Sequence, residues 1–169
     1  MKIGPNVNRS GLRTAVRLVL GALFVWAAVG KMGDPYSFYT SILAYDLPLP
    51  DALLRLAGMA VPWVELLCGL ALLANSWTEA ALGVQVVLFG FFIAATGQAW
   101  IRGLNIACGC FDLTMVGIAH DSAIIHFIDS VRFAFFRNFI LLAGVAYLLA
   151  ARIREMAHSE AKPAAAGSP

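Results

Sequence analysis

What most constrains this chain is an apolar run about 20 residues long that recurs four times, with short polar turns between the copies. A run of that length matches the hydrocarbon thickness of a bilayer. Inside a bilayer the backbone must satisfy its own hydrogen bonds, so such runs are helices. Of the 169 residues 60% are hydrophobic and 13% charged, too little charge to clothe a water-soluble surface. The fold class expected is an all-α membrane protein: a four-transmembrane-helix bundle with short interfacial helices in the two outer loops.

Residues 1–12 are polar and basic and are read as a cytoplasmic N-terminal segment. The first apolar run is longer than the core of a signal peptide and ends in no small-residue cleavage site, so it is expected to stay as a span. Spans are expected at about 13–32, 52–74, 80–101 and 133–151, together forming one transmembrane domain over 13–151. Residues 152–169, rich in Ala, Pro and Gly, read as a disordered cytoplasmic tail.

Between the spans, Gly33-Asp34-Pro35 stops the first helix. Tyr36–Asp46 carries tyrosines suited to headgroup depth and is expected to form a short interfacial helix. Asp51 is a candidate N-cap for the second span, and Asn75–Glu79 reads as a tight turn. Gly83, Gly90 and Gly97 recur every seven residues, which predicts a small face packed on a neighbouring helix. Over Asp121–Arg132 the apolar residues fall at helical spacing, which predicts an interfacial amphipathic helix or an extension of the last span.

Orientation follows from the Lys/Arg bias. Lys2, Arg9, Arg13 and Arg17 precede or open the first span, and Arg152, Arg154 and Lys162 follow the last. The cytoplasmic side of a membrane protein is the Lys/Arg-rich one, so both termini are expected in the cytoplasm of a bacterial inner membrane. The turn after the third span then faces the oxidising side, where disulfides form and persist.

That turn holds Cys108-Gly109-Cys110. A disulfide needs Cα atoms within about 7 Å, a condition met by two residues one apart in a turn. A ring so small is expected to be strained and easily reduced. The bland alternatives are two small buried hydrophobes, or half of a metal site. A metal site would need about four ligands, which His120 and His126 could complete only through a loose segment.

Lys31, Arg102 and Arg137 fall near the outer boundary, and cations near a thiol raise its thiolate fraction. Glu65 lies mid-span, where a carboxylate is costly unless paired or protonated; Arg137 or Lys31 is its natural counter-ion. The bland reading of the cations is snorkelling. His120, Asp121, His126 and Asp129 read best as a solvated face, and Cys68 as core packing.

Taken together, Gly30-Lys31 closing the first span, Pro62-Trp63-Val64-Glu65 with Gly69, Arg102-Gly103, Cys108-Gly109-Cys110-Phe111 and Arg137-Asn138 resemble the MauE branch of the DoxX-like membrane proteins, over about Arg13–Ala151. The chain departs from that pattern at Asp112, where the family commonly has Gly, and in a longer His120–Phe136 segment. The resemblance implies an inner-membrane protein taking part in periplasmic thiol–disulfide chemistry through Cys108 and Cys110. It also implies a thioredoxin-like partner, and a part in maturing a disulfide-containing protein of methylamine metabolism. Analogy with four-helix disulfide oxidases adds a quinone as the cofactor to look for near Glu65 and Arg137, with Lys31 and Arg102 in the supporting polar cluster.

A second reading, from another class, is a non-catalytic accessory subunit of a larger membrane electron-transfer or respiratory complex. A small transporter is disfavoured by the sparse polar interior and the lack of an inverted repeat. The net charge of +2 gives no case for nucleic acid.

Overall fold

The structure, a computed structural model, describes residues 5–104, 106 and 130–165, with side chains for 10–104, 106 and 130–156. Five helices fall in that range: α1 (Pro5–Gly33), α2 (Pro35–Ala44), α3 (Asp51–Ala74), α4 (Thr78–Ile101) and α5 (Val131–Ala165). Four of them are long and apolar enough to cross a membrane, over Ser10–Gly33, Asp51–Ala74, Thr78–Ile101 and Val131–Met156. This is the all-α four-span architecture expected from the apolar runs. Cys108, Cys110, His120, His126 and the expected helix up to Asp129 lie outside the described residues.

The helix ends follow local chemistry. α1 stops at Gly33, and α2 restarts at once because Asp34 caps it, its side chain accepting from the Ser37 N–H at 3.0 Å with Pro35 in the first helical position. α3 begins with Pro50 at the cap and Asp51 already helical. Asp51 therefore acts through the helix dipole rather than as the N-cap the sequence suggested. α3 ends on Asn75 at φ +54°, with the Ser76 N–H donating to the Ala71 carbonyl, a left-handed C-terminal cap that Asn tolerates.

Both chain ends run helical further than composition indicated. α1 begins at Pro5, and α5 continues to Ala165 where a disordered tail was expected from Arg152. The reason is that Ala, Arg, Glu, Met and Lys dominate the extension and are strong helix formers. A helix already nucleated in the membrane extends without a second nucleation cost.

α1 and α3 pack at Gly21 and Gly69, where a Cβ on Gly69 would lie 2.9 Å from the Val25 backbone nitrogen and 3.0 Å from the Gly21 carbonyl oxygen. Only glycine permits that approach, as small-residue packing between membrane helices requires. The expected Gly83–Gly90–Gly97 face is corrected. Among the described residues nothing lies within 4 Å of a Cβ built at Gly83 or Gly90, and of the three only Gly97 meets a neighbour, Phe135 at 3.1 Å. The buried stripe of α4 instead runs through Leu82, Gln85, Phe89, Thr96 and Ala99. A seven-residue repeat defines a stripe without saying whether protein or lipid covers it.

One core, built on Leu20, Phe24, Cys68, Leu72, Leu82, Phe89 and Val145, fills the middle of the bundle. Cys68 is a buried free thiol in it, the packing role its position suggested. A second cluster of Tyr45, Ala95, Ala99 and Val131, with Leu104 and Ile106 against it, closes the end from which the 104–130 connection leaves and to which it returns. The opposite end gathers the start of α1, the α3–α4 turn and the outer part of α5. There Arg13 pairs with Glu155, and Arg152 donates to Asn75 at 2.9 Å.

Candidate functional site

Lys31 and Glu65 form an ion pair at 2.5 Å, with side chains 3% and 8% exposed. Lys31 stands in the last turn of α1, and Glu65 just past the middle of α3, three residues after Pro62. Two charges taken out of water cost several kcal/mol each, which close pairing has to offset. Aromatic rings assist: the ammonium lies 5.3 Å from the Phe38 ring centre on α2 and 5.5 Å from that of Phe92 on α4, within range for cation–π attraction.

α5 completes the surroundings. Arg137 is close enough to repel the Lys31 charge. Together with Asn138, Phe89 and Phe92 it lines a cleft of about 30 Å³ that reaches Lys31. Asn138 is 3% exposed, and its side-chain nitrogen makes no hydrogen bond among the described residues. Of the two counter-ions that the sequence offered for Glu65, the fold delivers Lys31, and Arg137 stands behind it.

Arg102 is engaged elsewhere. Its guanidinium binds the Asp46 carboxylate at 2.5 Å and the Asp46 carbonyl at 3.1 Å. Gln98 alongside donates to the Tyr45 carbonyl at 2.7 Å. These bonds tie the end of α4 to the α2–α3 turn, so Arg102 fixes the rim of the 104–130 connection and does not join the Lys31–Glu65 pair.

The cleft bears on the quinone expected here. Its donors suit a carbonyl oxygen and its phenyl rings suit a flat ring. About 30 Å³, however, is room for a water molecule or two, not a quinone ring. The described residues that line this cleft do not fit that cofactor. Among the described residues no three His, Cys, Asp or Glu side chains come together as a metal site.

Sequence reading missed Phe38 and Phe92, whose roles come from contact across helices, and gave no special place to Gln85. That residue is wholly buried, and neither polar atom of its amide has a partner among the described residues. Its signal was an amide in mid-span, where polar groups are costly.

Comparison with known proteins adds a family. The family model "Methylamine utilisation protein MauE" matches residues 9–151. The methylamine utilization protein MauE of Paracoccus denitrificans is 32% identical over 98 residues, covering 57% of this chain and 52% of that protein. The protein of the same name from Methylophilus methylotrophus is 34% identical over 110 residues, covering 62% and 55%. The chain thus spans about half the length of the curated relatives it matches. No solved structure gives a significant match.

Proposed function

Because this chain belongs to the MauE family, we propose that it serves methylamine utilisation as a multi-pass inner-membrane protein that exchanges disulfides with a thioredoxin-like protein in the periplasm. Both termini are cytoplasmic, and Cys108 and Cys110 face outward. The exchange is between thiols alone. The Cys108–Cys110 disulfide takes two electrons and two protons from the partner's dithiol, so that one S–S bond breaks as the other forms. The reverse transfer is equally balanced. The client downstream is a disulfide-containing periplasmic protein of that pathway.

The observation that carries this reading is the buried Lys31–Glu65 pair, 2.5 Å apart. It is held toward the end of the bundle where Leu104 and Ile106 depart and Val131 returns. An intramembrane ionisable pair is costly and usually functional, and this one lies toward the end from which the 104–130 connection leaves. The end where α1 begins and α5 leaves the bundle holds Arg13, Arg17 and Arg152, which supports a cytoplasmic assignment for it.

The test replaces Cys108 and Cys110 singly by Ala and follows disulfide formation in the periplasmic client. Loss of client oxidation in either variant is the expected result. Normal client disulfides in both variants would refute the reading. So would purification in mild detergent as a fixed subunit of a larger membrane complex with the pair permanently oxidised.

A further inference from the structure

A cavity opens at the other end of the bundle, away from the Lys31–Glu65 pair. It has a volume of about 210 Å³ and is lined by Arg13, Arg17, Asn75, Thr78, Arg152 and Glu155 among others. Among the described lining residues three guanidinium groups face one carboxylate, an excess of two positive charges. Glu79, also in the first turn of α4, is exposed and does not line the cavity.

The donors are already arranged. Arg13 pairs with Glu155, and Arg152 donates to Asn75 at 2.9 Å. Arg17 donates to the carbonyls of Leu72 and, at 3.3 Å, Leu73, so it absorbs the negative end of the α3 dipole. Three residues separate the end of α3 from the positive end of α4, and among the described residues no side chain caps it, the N-cap being Trp77 in the left-handed conformation. Thr78, the first residue of α4, is 6% exposed, and among the described residues its hydroxyl has no partner. A buried unpartnered hydroxyl, an uncapped helix N-terminus and excess guanidinium charge around one cavity are the parts of an oxyanion site.

Depth identifies the source of the oxyanion. Ser10 opens the first span, Thr78 opens the third, Asn75 directly follows the second and Glu155 is next to the end of the fourth. The cavity therefore lies where hydrocarbon gives way to headgroups. Beside it stands Trp77, 86% exposed, a residue type that favours that layer. Basic pockets between helix ends on the cytoplasmic side suit anionic lipid headgroups.

We propose that this cavity binds a phosphate group, supplied by the headgroup of an anionic phospholipid in the leaflet on the side of the chain termini. Arg13, Arg17 and Arg152 supply the charge, and Thr78 and the α4 N-terminus supply directed hydrogen bonds.

The full-length protein in neutral detergent is titrated with phosphatidylglycerol, phosphatidylcholine or inorganic phosphate, and thermal stability and lipid retained in native mass spectrometry are read. Phosphatidylglycerol is expected to raise the melting temperature and be retained, and the other two probes to have little effect at equal concentration. Arg152→Gln should weaken phosphatidylglycerol binding about fivefold, the effect of one cation near an anionic headgroup. Thr78→Val should weaken it about tenfold through the lost bond to a charged group. Arg55→Gln, an exposed charge at the far end of the bundle, should leave it unchanged. Equal stabilisation by phosphatidylcholine, or unchanged affinity in both cavity variants, overturns the proposal. Matching stabilisation by inorganic phosphate overturns the lipid as source. If one cavity variant does not fold, the other variant and the wild-type comparison of the three probes still decide.

Discussion

Removing Glu65 isolates the energetics of the buried pair. In Glu65→Gln the Lys31 ammonium, 3% exposed, stays buried without its counter-ion and within reach of the Arg137 charge. Breaking a buried pair from one side costs about 3–5 kcal/mol. That is a factor of about 10² to 10³·⁵ in the folding constant, and a fall of roughly 6–20 °C in Tm for a chain this long. Lys31→Met removes the other partner, and its cost should be smaller. The long methionine fills the volume beside Phe38 and Phe92, and the Arg137 charge remains nearby as a substitute for the lost cation. The double variant Lys31→Met/Glu65→Leu removes both charges and should recover most of the loss, since an apolar replacement of a whole pair is often neutral or stabilising. The assay is thermal or denaturant unfolding in detergent for wild type, Glu65→Gln, and a closed cycle of Lys31→Met, Glu65→Leu and their double. The coupling energy from the cycle should exceed about 2 kcal/mol, well above what distant sites show. Additive effects, or a cost below about 1 kcal/mol for Glu65→Gln, would refute the reasoning.

Further outcomes follow from packing and capping. Gly69→Ala places a Cβ 2.9 Å from a backbone nitrogen and should cost about 1–3 kcal/mol as overpacking does. Gly90→Ala meets nothing within 4 Å and should be neutral or gain up to about 1 kcal/mol of helix propensity; unfolding in detergent checks both. Gln85→Leu removes a buried amide with no partners among the described residues and should stabilise by about 1–3 kcal/mol, read in the same unfolding assay. The Ser37 side chain and backbone N–H beside Asp34 hold its carboxyl below its ordinary value. Its capping of α2 is therefore complete above the usual carboxylate range and is lost as pH falls through the lowered value. Hydrogen exchange in Tyr36–Phe38 should rise over that acid range relative to neighbouring amides, and in Asp34→Ala it should already be raised at neutral pH.

The spans were legible in the sequence because hydrocarbon thickness imposes run length directly, and the α1–α2 break because Gly33, Asp34 and Pro35 act locally. Cys68 was legible as packing because it sits in mid-span among apolar neighbours. The partner of Glu65 was not. Lys31 and Arg137 are both near enough in sequence register, and only the helix arrangement chooses between them. The α4 glycines misled because lipid and protein are equally apolar, so small residues on a lipid-facing stripe look like a packing face. Arg102 was grouped with the pair by depth alone, whereas its length lets it reach Asp46 across the rim. The terminal cavity was hidden because its arginines come from opposite ends of the chain, where they read only as an orienting charge bias.

The central claim is that Cys108 and Cys110 work as a redox pair on the outer face of the membrane. A membrane-impermeant maleimide, applied to intact cells carrying a Cys68→Ala chain, tests it in one step. The account predicts no label before mild reduction and two labels per chain after it. Label that enters only after lysis, or thiols that take label unreduced whatever oxidant precedes it, would contradict the claim.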